Sequence, residues 1–181
     1  MFIKVCGITT KEQIDAAVDM GYSAVGIVFH GKSPRYCAPE KAAALARYAG
    51  GRIVTVAVAL NYSEISESEH LFDLIQIYEP FSSTRLIAAG ASPPANGAVY
   101  RYFMHDTSMG SGAAQPFPLY DEKIRERLII SGGLDPGNAA SMIKASRPAG
   151  VDVSSGVEKN RGIKDMELME SFIREVRCAA G

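Results

Sequence analysis

Short apolar runs alternate along this chain with stretches whose apolar residues recur at helical spacing. In the second half, LIISGG (128–133) is a β-branched run ending in glycines, NAASMIKAS (138–146) has helical spacing, and GVDVSSG (150–156) is another strand pattern. DMELMESFIREVRC (165–178) then places Met166, Met169, Phe172, Ile173 and Val176 on one helical face. The first half repeats the rhythm. IKVCGI precedes KEQIDAAVDM, AVGIVF (24–29) precedes PEKAAALARYA (39–49), and RIVTVAVAL (52–60) follows. Strands that alternate with helices predict a parallel sheet joined by right-handed crossovers.

The middle is less regular. LIQIY (74–78), RLIAAG (85–90) and AVYRYFMHD (98–106) read as strands four to six, separated only by EPFSST and SPPANG; SEISESEH, before strand four, has room for a helix of a turn or two. LYDEKIRER (119–127) resumes the pattern before strand seven. Eight strands and at least five helices predict an α/β fold, a (β/α)8 TIM barrel with shortened or missing helices between strands three and six and residues 1–181 as a single barrel domain. Strands four to six are nonetheless as apolar as covered ones, so either loops fold flat over them with Phe72, Phe81 and Leu86 as plugs, or a second copy does. SPPANG reads as a rigid lid, which favours a monomer over a homodimer.

Composition narrows the function classes. With 47% hydrophobic and 22% charged residues and a net charge of -1, the chain is an ordinary globular sequence without the basic footprint of a nucleic-acid or anionic-membrane partner. No apolar stretch reaches the roughly 18 residues of a membrane span, and MFIKVCGITT lacks a signal-peptide pattern. Cys6, Cys37 and Cys178 are odd in number and widely spaced, which speaks against a disulfide framework or zinc site and for a reducing cytoplasm.

In a barrel of this kind the chemistry sits at the C-terminal strand ends. There strands seven and eight finish in Ser131-Gly132-Gly133 and Ser154-Ser155-Gly156, and Gly110-Ser111-Gly112 follows strand six. Small residues let backbone N–H groups approach an anion, so these turns point to a phosphate ligand. Cys6 and Asp106 are the groups able to move protons. Read alone, Cys6 fits packing or a reactive thiol, and Asp106 a helix cap or a proton donor. A thiol beside a helix N-terminus has its pKa lowered toward a usable base, while a carboxyl in a poorly solvated mouth keeps its proton. His105 precedes Asp106, has the opposite strand parity and should face the helices. Arg35, in a loop stiffened by Pro34, fits a solvated surface arginine somewhat better when read alone, and otherwise a planar fork for a substrate carboxylate. Cys37 and Cys178 receive no function. Lys4 shares parity with Cys6, and Asp152 with Ser154; on neighbouring strands of a closed barrel they are expected to form a buried ion pair, the close alternative being a Lys4 that reaches solvent at the bottom of the barrel.

KVCGIT (4–9), SPR (33–35), SGGLDPGN (131–138) and GVDVSSGVE with GIKD (150–158, 162–165) together resemble the phosphoribosylanthranilate isomerase family of tryptophan biosynthesis, over nearly the whole chain. The resemblance implies an aldose–ketose isomerase that performs an Amadori rearrangement on a small phosphoribosyl substrate, without metal or organic cofactor. It implies Cys6 as general base, Asp106 as general acid, Arg35 on the anthranilate carboxylate, and the phosphate in the turns at Gly110–Gly112, Gly132–Gly133 and Ser154–Gly156. The chain departs from the family pattern in three places. Gln76-Ile77-Tyr78-Glu79 stands where the family has Gln-Leu-His-Gly. DTSMGSGAAQPF replaces the family's Gly-Gly-Thr-Gly and Phe-Asp-Trp, and residues 79–98 are shorter than usual. Two other readings share the phosphate grip: an isomerase for another phosphoribosyl amine, and a non-catalytic phosphosugar-binding barrel. Binding alone would require neither Cys6 nor Asp106.

Overall fold

The computed structural model describes residues 1–106 and 118–181. Eight parallel strands close into a barrel in sequence order. They are β1 (Phe2–Cys6), β2 (Ala24–Val28), β3 (Val54–Ala59), β4 (Leu74–Ile77), β5 (Leu86–Gly90), β6 (Tyr102–His105), β7 (Leu128–Ile130) and β8 (Gly150–Val153). Outside them lie α1 (Lys11–Met20), α2 (Pro39–Ala49), α3 (Glu122–Arg125), α4 (Ala139–Ser146) and α5 (Met166–Ala180). A two-stranded antiparallel hairpin, β9 (Glu158–Asn160) and β10 (Ile163–Lys164), is inserted between β8 and α5. No described helix is long and apolar enough to cross a membrane.

Strand alternation sorts the core into two bodies. Cys6, Val28, Val56, Val58, Leu74, Ile87, Ala89, Met104 and Ile129 fill the barrel, whereas Val5, Val25, Ile27, Ile75, Phe103, Ile130 and Val151 pack outward. Those outward residues meet Ile14 and Ala17 of α1, Ala42, Leu45 and Ala49 of α2, and Met169, Phe172, Ile173 and Val176 of α5. Met166 departs from the expected face: at the first position of α5 it is exposed. Local signals set the helix ends. Thr10 caps α1 in a reciprocal box with Gln13, Gly21 ends it at φ 81°, and Asp165 accepts the Glu167 and Leu168 N–H groups at the start of α5.

The thin side lies where the pattern predicts. Between β3 and β4 there are only 3-10 turns at Tyr62–Glu64 and Glu69–Leu71, and no helix joins β4 to β5 or β5 to β6. Loops cover the gap. Phe72 is buried edge-on against Phe29 at 5.6 Å, Leu86 is buried, and half-buried Phe81 stacks on Tyr62 at 4.5 Å. The remaining outward positions of β5 are Ala88 and Gly90, so little apolar surface is left to cover.

Candidate active site

Cys6 and Asp106 face one cleft at the C-terminal mouth of the barrel, together with Arg35, Gln76, Tyr78 and the turns after β7 and β8. His105 points outward, as its parity requires, and its Nδ1 lies 2.8 Å from the Tyr120 hydroxyl. Glycines make room around the sulfur. Gly26 is paired with Cys6 across β1 and β2, and a Cβ there would sit 2.9 Å from Cys6 Sγ and 3.1 Å from Lys4 Nζ. Gly7 lies under the stem of Arg35, where a Cβ would approach Cδ to 2.4 Å, and its φ of 85° suits glycine as well.

Beneath the cysteine, Lys4 is fully buried and donates to Asp152 Oδ1 at 2.7 Å, the pair that strand parity predicts. Asp152 Oδ2 accepts from the Ser131 hydroxyl at 3.2 Å. Burial by itself would pull the Lys4 ammonium down, but Asp152 and the nearby Cys6 sulfur raise it above its ordinary value.

The thiol differs from expectation. No helix N-terminus serves Cys6: the Gly7 and Ile8 N–H groups both donate to Gly26 O, and Thr10 and Gln13 cap α1 internally. Burial pushes the Cys6 thiol up, more than the Lys4 and Lys164 charges pull it down. The expected lowering beside a helix end is thus replaced by a raised thiol flanked by two cations.

The turns after β7 and β8 are packed backbone on backbone. A Cβ on Gly156 would fall 1.9 Å from Leu134 O, so only glycine permits the contact. Gly132 and Gly133 take φ values of 87° and 72°. Asn138 Nδ2 holds the turn by donating to Gly133 O at 2.8 Å, and Asp135 Oδ1 accepts from the Gly137 and Asn138 N–H groups. The N–H groups of Gly132, Gly133, Ser155 and Gly156 make no hydrogen bond to another described residue. Ser154 lines the cleft but spends its hydroxyl proton on Cys6 O at 3.0 Å.

Arg35 is buried at the cleft wall, with its fork partly filled. Nε and Nη2 donate to Glu158 Oε1 and Oε2 at 2.7 and 2.8 Å, and Nη1 takes no part in that pair. Lys164 Nζ donates to the same Glu158 Oε1 at 2.9 Å and to Ser154 O at 2.9 Å. Thus the β9–β10 hairpin returns a carboxylate and an ammonium to the mouth. Burial lowers Lys164 below its ordinary value despite Glu158.

A protein-family model described as N-(5'phosphoribosyl)anthranilate (PRA) isomerase matches residues 3–93 and 98–175. The chain belongs to this family. An N-(5'-phosphoribosyl)anthranilate isomerase from Pseudomonas fluorescens is 33% identical, the match covering 96% of this chain and 97% of that one. The crystal structure of the Thermotoga maritima phosphoribosyl anthranilate isomerase superimposes with a TM-score of 0.78 at 29% identity, over 98% of this chain and 99% of that chain. A phosphoribosyl anthranilate isomerase in complex with reduced 1-(o-carboxyphenylamino)-1-deoxyribulose 5-phosphate gives a TM-score of 0.77 at 29% identity and the same coverage.

Of the positions that the PRA isomerase resemblance assigns, Cys6, Arg35, Asp106, Gly132, Gly133, Ser154 and Ser155 line the cleft, and Gly156 supports the last turn from behind. Gly110, Ser111 and Gly112 lie outside the described residues. Sequence reasoning missed Glu158, Lys164 and Gln76. The Asn160–Arg161–Gly162 turn signal in VEKNRGIKD marks the hairpin that carries the first two. Gln76 shares inward parity with Leu74; it is buried, and its Oε1 has no hydrogen-bond partner among the described residues.

Glu158 also makes acid stability measurable. Burial alone would raise its carboxyl, but hydrogen bonds from Arg35, Lys164 and Gly162 N–H hold it down to about 2. A depressed carboxylate contributes stability that is complete above its unfolded pKa of about 4.3 and lost as pH falls toward 2. Glu158→Gln should therefore flatten the stability profile between those limits, read by urea denaturation at a series of pH values. An unchanged slope would show that Glu158 is not held as described.

Proposed function

We propose that the protein converts N-(5-phosphoribosyl)anthranilate to 1-(2-carboxyphenylamino)-1-deoxyribulose 5-phosphate in tryptophan biosynthesis, with Asp106 as general acid and Cys6 as general base. The observation that carries the reading is the convergence of both groups on one cleft walled by the two glycine turns. Asp106 protonates the ribose ring oxygen and the ring opens to a cationic Schiff base. Cys6 then takes the proton from C2′, giving an enolamine that tautomerises to the ketose. The iminium charge forms when the base is needed and adds to Lys4 and Lys164 in favouring the thiolate.

The free N–H groups of Gly132, Gly133, Ser155 and Gly156 receive the phosphate. Arg35 Nη1 meets the anthranilate carboxylate, Glu158 holding the rest of the fork in plane. Gln76 Oε1 accepts from a sugar hydroxyl, which relieves its buried, unpaired state. On this reading residues 1–181 work as one barrel in the cytoplasm, where the three cysteines remain thiols. They work as a monomer, since the loops already cover Phe72 and Leu86 on the thin side. A stable dimer in sedimentation equilibrium at micromolar concentration would overturn the monomer.

Purified protein given phosphoribosylanthranilate should abolish the anthranilate fluorescence of the substrate with saturable kinetics. Binding without turnover would instead identify a non-catalytic phosphosugar barrel.

A further inference from the structure

Tyr78 stands at the end of β4, where Gln-Leu-His-Gly would place a histidine, and it reaches across the mouth to β6. Its phenol donates to Asp106 Oδ2 at 2.7 Å. Gln76 Nε2 lies 3.5 Å from the same phenol oxygen, on the same inward face of the strand. The backbone here is pinned: Tyr78 N and Glu79 N both donate to Leu60 O at 3.2 Å, and Glu79 Oε1 accepts the Tyr62 N–H. The ring packs against the apolar interior of the barrel, so the hydroxyl is held in place from three sides.

We propose that Tyr78 is a positioning residue for the proton donor: by donating to Asp106 Oδ2 it keeps the acid proton on Oδ1 and aims that oxygen at the ribose ring. The proposal rests on the isomerase reading, with Asp106 as the acid. An oxygen that accepts a phenol proton at 2.7 Å is a poor seat for a second proton, whatever else the carboxyl contacts. In the reaction, the Oδ1 proton passes to the ring oxygen as the C1′–O bond breaks. The bond's electron pair stays on that oxygen, the nitrogen lone pair closes C=N⁺, and the negative charge remains on Asp106. A hydrogen bond to a carboxylate is roughly twice as strong as one to a neutral acid. The Tyr78 bond therefore strengthens as the proton leaves, which assists the transition state more than the bound substrate.

Tyr78 is not itself the acid. Burial first, and then the Asp106 charge, raise its phenol well above its ordinary value, so it stays protonated and remains a donor throughout the cycle.

A double-mutant cycle tests this. Tyr78→Phe keeps the ring and deletes the donor. In the otherwise native protein it should lower kcat about tenfold, with KM within about twofold. In an Asp106→Asn background it should cost almost nothing further, because the group it acts through has gone. Any fold defect of the phenylalanine is common to both backgrounds and cancels in the comparison. Equal losses in the two backgrounds, or a loss carried by KM, would overturn the proposal and make Tyr78 a packing or substrate-contact residue. An active native protein with additive losses removes the role of Tyr78 alone, whereas a native protein without turnover removes the isomerase reading together with it.

Discussion

Replacing Cys6 by alanine or Asp106 by asparagine is expected to lower kcat at least about 10²-fold each, with KM changed far less. On the proposed mechanism these two groups touch the reacting atoms, whereas the residues proposed for the phosphate and the carboxylate lie elsewhere in the cleft. Cys6→Ser should be no better than alanine, since a hydroxyl ionises far above the thiol and cannot serve as the base at neutral pH. The raised thiol adds a pH signature. The reactive form carries one proton on the Asp106–Cys6 pair, so kcat/KM should fall away only above the ordinary thiol value of about 8.5, where the raised thiol ionises and the pair has no proton left to give. An alkaline limb that Cys6→Ala leaves in place, or a Cys6→Ala variant near native kcat, would show that the sulfur is not the base. Denaturation midpoints of the variants separate lost chemistry from lost fold, because Cys6 is buried in the barrel interior.

The elements that alternation revealed are those with both an apolar face and a terminal signal. Lys11–Met20 carries the Thr10–Gln13 box and Gly21, and both its ends fall where the pattern puts them. Parity alone sufficed for Lys4 and Asp152, because β1 and β8 must be neighbours once a barrel closes. The pairs that escaped need a register as well as a parity. Tyr78 meets Asp106 across β5, and Arg35 meets Glu158 from a hairpin that interrupts the strand–helix rhythm. The thiol escaped for another reason. Its spacing from Thr10 suggested a helix terminus, but Gly7 and Ile8 turn their N–H groups to Gly26 O instead, which leaves burial to set the sulfur's acidity.

Lys4→Met should be the most destabilising single change, by about 3–5 kcal/mol, because it strands the Asp152 carboxylate in the barrel interior. For a chain of this length that corresponds to a fall in melting temperature of roughly 10 °C. The sign follows from desolvation. Lys4 has no exposed surface and Asp152 almost none, so neither charge has water to fall back on when its partner is removed. The double variant Lys4→Met, Asp152→Leu removes both charges and keeps most of the volume, so it should recover most of the lost stability. It should not recover activity. The ammonium that flanks Cys6 Sγ beside Gly26 would be missing, and the thiol would be raised further by the same burial. Stability and turnover therefore separate in this pair of variants: calorimetry reads the ion pair, and the pH dependence of kcat/KM reads the cation beside the sulfur. A single variant as stable as the native protein would mean that the pair does not hold the barrel together. A double variant with native kcat/KM would mean that Lys4 is structural and that Lys164 alone serves the base.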